Sequence, residues 1–141
     1  MDLPRFHRLR PTFYRLEANR CAQCAQVSFP PRVVCPACGS TEQEAVKLGG
    51  RGRVVSLTRV YQPPRGFASS STGILALVEL TEGVRVMAQL TDVDPEQASI
   101  GMEVEMVVRR LRADEERGLI VYGYKFRPPI APSAQAAEAE Q

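Results

Sequence analysis

Cys21-Ala22-Gln23-Cys24 and Cys35-Pro36-Ala37-Cys38-Gly39 are the two segments whose reading decides the fold. They hold all four cysteines of the 141-residue chain, as two C-x-x-C pairs separated by ten residues. Each pair offers two thiolates from one tight turn. Two such turns across a hairpin make a tetrahedral four-sulfur site, the geometry zinc accepts in closed structural sites. Zn2+ is the expected metal, with a rubredoxin-type iron site as the alternative. Disulfides are the competing use of four cysteines, but no secretory signal accompanies them. Four thiolate ligands leave no position for water or substrate. Cys21, Cys24, Cys35 and Cys38 are therefore expected to fold the segment and not to catalyse.

The flanking sequence supports a ribbon around this site. Tyr14, Leu16 and Ala18 alternate with Arg15, Glu17 and Asn19, which predicts a half-buried strand from Phe13 into Cys21. Val27-Ser28-Phe29 supplies the partner strand before Pro30-Pro31. Gly39 follows Cys38 where the knuckle turn requires a positive φ. Ala25 takes the equivalent place after Cys24, at some cost. Ahead of the ribbon, residues 4–12 suit a short helix limited by Pro11, with Phe6 and Leu9 on one side. His7 on this basic arm is read as a solvated group. Phe6, Phe13 and Tyr14 have little to pack on locally, which suggests that the arm anchors on a partner.

Leu48-Gly49-Gly50-Arg51-Gly52 reads as a hinge. It precedes a strand and not a helix, so it lacks the N-terminal dipole of a phosphate-binding loop. Beyond it the pattern is all-β. Strands are expected over 53–61, 74–80, 84–90, 102–108 and 119–126. A long loop, 62–73, joins the first two, and a short helix starting at Asp94-Pro95-Glu96-Gln97 lies between the third and fourth. Five strands in that order make an OB-type barrel. Tyr122, Tyr124 and Phe126 share one face and are read as core in preference to a base-stacking surface. Asp114–Gly118 forms the last loop. The tail IAPSAQAAEAEQ has a disordered composition.

Composition excludes several classes. There is no apolar run long enough to span a membrane. The opening MDLPRFHRLR is basic but has no apolar core, so a cytoplasmic location is expected. Neither G-x-x-x-x-G-K-[ST] nor G-x-G-x-x-G occurs, and the single histidine leaves no credible triad. Glu103 with Glu105, and Asp114-Glu115-Glu116, read as solvated acids. Charge is uneven: residues 1–53 carry nine Lys/Arg against four Asp/Glu, and residues 54–141 nine against twelve. A basic first third attracts an anion or an acidic protein face.

The order of parts resembles the zinc-ribbon/OB-fold proteins associated with acyl-CoA metabolism. Tyr14-Arg15-Leu16 before the first knuckle, Phe29-Pro30-Pro31-Arg32 and Cys35-Pro36-x-Cys38-Gly39-Ser40 carry the likeness. So do Gly50-Arg51-Gly52-Arg53-Val54-Val55-Ser56 and Gly101-Met102-x-Val104. Two departures are Ala25, where glycine is common, and the missing aromatic before the G-x-G segment, where Leu48 is nearby. The resemblance implies a mostly β chain: a helical arm (1–12), a rubredoxin-like four-cysteine zinc ribbon (13–48), a five-stranded OB-fold barrel (49–128) and a tail (129–141). It also implies a non-catalytic subunit that scaffolds a thiolase-type or related acyl-CoA-processing enzyme and helps enclose the CoA thioester. Arg15, Arg20, Arg32, Arg51 and Arg53 then become candidates for CoA phosphates or a partner's acidic face, though no family motif assigns them individually. The alternative is a ribbon/OB protein that binds single-stranded nucleic acid, against which the net acidic barrel half argues.

Overall fold

In the structure, a computed structural model describing residues 3–67, 73–113 and 118–130, the arm folds as two short helices, α1 (Leu3–Arg8) and α2 (Arg10–Arg15). Pro11 does not end the helix. It sits in the first turn of α2, where its missing N–H has no partner to lose. Helix therefore replaces the strand expected from Phe13. Leu16 closes α2 in the left-handed region, φ 50°, and its N–H donates to the Pro11 carbonyl. The arm's aromatics find their contacts within the chain. Phe13 lies 6.2 Å from Phe6 and stacks on Tyr124 at 6.5 Å between ring centroids, and Phe29 meets Tyr124 edge-on at 5.7 Å. Tyr14 lies under the Arg10 guanidinium at 5.4 Å. The expectation that these rings wait for a partner is corrected for Phe6 and Phe13, because Tyr124 of the same chain supplies the surface they need.

The ribbon is a three-stranded antiparallel sheet. Its strands are β1 (Glu17–Cys21), β2 (Val27–Ser28) and β3 (Gln43–Lys47), in the order β2-β1-β3. Arg20 pairs with Val27 on one side and Glu44 on the other. β3, QEAVK, is too short and polar to announce itself by alternation. It exists because β1 offers it a full edge.

Five further strands make the barrel: β4 (Arg51–Arg59), β5 (Ile74–Leu80), β6 (Arg85–Gln89), β7 (Glu103–Ala113) and β8 (Ile120–Arg127), in the antiparallel order β6-β5-β4-β7-β8. A parallel bridge from Leu90 to Phe126 nearly closes the sheet on itself, leaving little free edge. Period-2 alternation places Ile74, Ala76, Val78, Leu80, Val86, Ala88 and Leu90 inside. The expected helix after Asp94 is only one turn, with Gln97 and Ala98 both donating to the Asp94 carbonyl. The chain then turns at Gly101, φ 90°, to reach β7.

The aromatic stripe of β8 divides. Phe126 is fully buried and Tyr124 is packed beneath the arm, but Tyr122 is 46% exposed. Tyr122 pairs with Arg110 beside the Arg110/Arg112 bulge and borders an open cleft with Phe6 and Phe13 of the arm instead of entering the core. The Asp114–Glu116 acids and the tail beyond Ile130 lie outside the described residues.

The stretch read as a hinge is a fixed joint. Leu48 is buried at 3% exposure and shares one hydrophobic cluster with Leu16 and Ala18 of the ribbon side and Val54 and Val104 of the barrel. The Leu48 N–H donates to Leu16, the Met106 N–H to Gly50 and the Thr81 N–H to Arg51. The Glu82 carboxylate, at the β5–β6 turn, accepts the Gly49 N–H at 2.5 Å. Gly50 has φ 75°, and a Cβ there would lie 3.0 Å from the Met106 Cβ. Glycine is needed here so that the backbones can close, not so that they can swing.

Candidate functional site

Two copies of one turn bring the four cysteines into a candidate metal centre. In the first, the Ala25 N–H donates to the Cys21 carbonyl and the Cys21 N–H to Gln26; in the second, Gly39 donates to Cys35 and Cys35 to Ser40. Ala25 (φ 61°) and Gly39 (φ 74°) occupy the same left-handed position. A Cβ on Gly39 would meet nothing within 4 Å, so that glycine answers to φ alone. Ala25 bears the strain of an L side chain in this region, about 1 kcal/mol.

The four Sγ atoms converge within 4.8 Å of one another, with Cys21–Cys38 and Cys24–Cys35 each at 3.5 Å. A tetrahedral zinc with Zn–S bonds near 2.3 Å requires sulfurs about 3.8 Å apart. The array brackets that value, and all four thiols are free of disulfides. Cys21 and Cys35 are buried while Cys24 and Cys38 are exposed. Amide groups of the knuckles favour the first thiolate of each pair. The Cys24 N–H, foremost, lowers the Cys21 thiol to about 6, and those of Cys38 and Ala37 lower Cys35. The Gln26 N–H lowers the Cys24 thiol, but the hydrogen bond with Cys35 and burial outweigh it and push it up to about 12. Cys38 also rises, its Ser40 N–H outweighed mainly by the hydrogen bond with Cys21. A dication would favour all four as thiolates. The donor set and geometry therefore fit a structural zinc.

The arginines named from the sequence are not one cluster. Arg51 and Arg53 lie on the outward side of β4 and share an open cleft of about 500 Å³ with Glu79, Glu103 and Glu105. Arg32 borders a different cleft with Arg85. Arg15 and Arg20 are exposed and border neither. In the cleft of Arg51 and Arg53, Arg127 binds Glu105 at 3.0 Å, and further along β7 Arg109 binds Asp92 at 3.0 Å. Lys125 is 1% exposed. Desolvation lowers its pKa, aided by Arg110 and Arg109 and opposed by Asp92. Sequence reading missed Lys125 because an alternating strand hides which face a neighbouring element will cover. It missed the Glu82 clamp because the contact joins residues 33 apart.

Comparison with known proteins gives this geometry a lineage. Residues 14–44 match the rubredoxin-like zinc ribbon domain of ChsH2, and residues 45–109 match its C-terminal OB-fold domain. A DUF35 domain-containing scaffold protein of Pyrococcus furiosus is 48% identical over 130 residues, covering 92% of this chain and 95% of the relative. The chain belongs to the DUF35 scaffold-protein family. The benzoylsuccinyl-CoA thiolase subunit BbsA of Thauera aromatica is 32% identical, over 79% of this chain and 75% of its own length. Among solved structures, the DUF35 family is represented by a chain of an Ltp2-ChsH2(DUF35) aldolase. It superposes with a TM-score of 0.67 at 35% identity, over 82% of this chain and 86% of that one. The resemblance read from the cysteine and F-P-P-R motifs thus holds, and so does the mostly β ribbon-and-barrel architecture.

Proposed function

We propose that this chain is a non-catalytic scaffold subunit that assembles with a thiolase-type or related acyl-CoA-processing enzyme. Cys21, Cys24, Cys35 and Cys38 hold a structural zinc that keeps the ribbon folded. The observation that carries the reading is the likeness, over 79% of this chain, to a protein named as a thiolase subunit, joined to a site whose four ligands leave no open position. The rigid joint at Leu48–Gly52 suits a scaffold, since it fixes the ribbon and barrel surfaces in one frame. Among the described residues no helix is long and apolar enough to cross a membrane. The four free thiols suit a reducing compartment, and on that ground we assign the subunit to the cytoplasm.

In this reading Arg51 and Arg53, whose cleft also holds Glu79, Glu103 and Glu105, meet a partner's mixed-charge face, with the phosphates of a CoA thioester as the alternative contact. Arg15, Arg20 and Arg32 are assigned to a partner's acidic face. Single-strand binding, the other reading, calls for a continuous basic groove. Glu79, Glu103 and Glu105 interrupt the basic residues of the cleft. The test is co-expression with a thiolase-type enzyme followed by size-exclusion chromatography. Stoichiometric co-elution and a change in that enzyme's turnover are expected. A chain that elutes alone and leaves turnover unchanged overturns the proposal.

A further inference from the structure

Ribbon and barrel each leave a strand edge unpaired, and residues of both edges line one cleft. On β1 every second residue bonds towards β3: the Ala22 N–H donates to Glu42, and the Leu48 N–H to Leu16. Arg20 falls in that series opposite Glu44, so its backbone groups are engaged on β3. Val27 stands opposite Arg20 on the other side and finds no backbone partner there. Its N–H therefore points away from β1, to the outer edge of the ribbon. The same count applies to β6. The Leu80 N–H donates to Val84 and the Leu90 N–H to Ile74. Arg85, opposite Glu79, falls between these bonded pairs and directs its N–H and C=O away from β5.

The cleft holds about 280 Å³, with Val27, Phe29 and Arg32 on the ribbon side and Gly83, Val84 and Arg85 on the barrel side. Its barrel wall follows the β5–β6 turn, which Glu82 ties to Gly49 of the joint, so the two walls are held in one frame. Val27, Phe29 and Val84 are partly buried against the common hydrophobic cluster and give the cleft an apolar floor. Among the described residues its lining charges are Arg32 and Arg85, with no acid beside them. Arg85 holds Glu79 through its Nε at 3.0 Å, which leaves its two terminal nitrogens for another acceptor. The exposed Gln26 side-chain amide touches the Val27 carbonyl at 3.4 Å.

An unpaired edge is a template for a further extended chain. A strand carries N–H and C=O groups on both of its sides, so one segment can serve two edges at once. Charge selects among the possible segments. Two arginines repel a second copy of the same surface and attract carboxylates.

We propose that this cleft takes an extended acidic segment of the enzyme subunit, its backbone bonded to Val27 on one side and Arg85 on the other, its carboxylates on Arg32 and Arg85. That the segment belongs to the enzyme rests on the scaffold reading; the chemistry of the cleft does not.

Two measurements separate these. The first titrates the zinc-loaded full chain, by NMR, with a capped peptide alternating valine and glutamate and with its valine–lysine counterpart. The acidic peptide should slow amide exchange at both Val27 and Arg85 and bind about tenfold more tightly than the basic one, as two exposed ion pairs turned to repulsion imply. The double variant Arg32→Ala with Arg85→Ala should cut that preference to about twofold. Equal affinity for the two peptides, a preference that the double variant keeps, or no slowing at these amides overturns the site. Slowing at one of the two alone overturns the bridging strand. Slowing of both in the chain alone as its concentration rises assigns the cleft to a second copy and overturns the acidic segment. The second measurement repeats the co-elution experiment with the double variant, first shown by its NMR spectrum to keep the fold. Assembly about tenfold weaker than wild type supports the proposal. Wild-type assembly overturns the cleft as the enzyme's docking site and leaves the scaffold reading standing. Failure of the wild type itself to assemble, with the peptide preference intact, overturns the scaffold reading and leaves the cleft.

Discussion

Removing one zinc ligand should unfold the ribbon and spare the barrel. Between residues 17 and 47 the fully buried side chains are Ala18, Cys21, Ser28 and Cys35. Two of these, Cys21 and Cys35, belong to the proposed metal site. Val27, Phe29 and Val46 are only partly buried. A whole leucine side chain contributes about 1.5–3 kcal/mol when buried, so this inventory falls well below the 10–16 kcal/mol or so that zinc supplies to small ribbon peptides. The barrel core, from Val54 through Phe126, includes none of the four sulfurs. Cys35→Ala should therefore abolish stoichiometric zinc. Hydrogen exchange should then accelerate by orders of magnitude at the Cys21, Ala25, Cys35 and Gly39 amides, while those of β5 and β6 stay protected. Elemental analysis and amide exchange by mass spectrometry read both effects. Unchanged protection at Ala25 and Gly39 in metal-free protein would refute the reasoning, since some other interaction would then hold the knuckles.

Leu16→Ala should cost about 2–5 kcal/mol, because Leu16 is 1% exposed in the cluster shared by ribbon and barrel; urea denaturation of the zinc-loaded protein measures it. Ala25→Gly should relieve the left-handed strain at φ 61° and raise ribbon stability by about 1 kcal/mol, read as slower zinc loss to a chelator. Tyr124 has its pKa raised by burial. Its contribution to stability should be present below the unfolded value of about 10 and lost as pH rises past it. Ultraviolet phenolate titration of the wild type against Tyr124→Phe should show this residue ionising late, and an early transition at Tyr124 would count against its packed position beneath Phe13. Glu82→Ala should loosen the joint without unfolding either part, seen as faster exchange at Gly49 alone.

The knuckles were legible because their information is local: two C-x-x-C turns and one glycine after the second specify the loops almost without context. The barrel strands were legible because one face of each is buried, and alternation survives in Val86, Ala88 and Leu90 or in Val104. Reading failed where two elements share a pattern or where a distant partner decides. Tyr14, Leu16 and Ala18 satisfy strand alternation, yet α2 and its left-handed cap at Leu16 account for the first two. The turn at Asp94 carries helix-start residues, but the chain to Gly101 is too short to add a second turn. The glycines at 49, 50 and 52 look flexible in sequence. Glu82, Met106 and Leu16, each distant along the chain, make them rigid.

That joint has a consequence for how any partner would be held. With Leu48 locked to Leu16 and Gly49 to Glu82, ribbon and barrel behave as a bracket with a set angle. Two weak contacts, one on each arm of the bracket, would form with a single loss of rotational freedom, and the second would not be diluted by a slack tether. Lengthening the joint with flexible residues would turn the bracket into a leash, and the second contact would then meet its site at an effective concentration of only about millimolar.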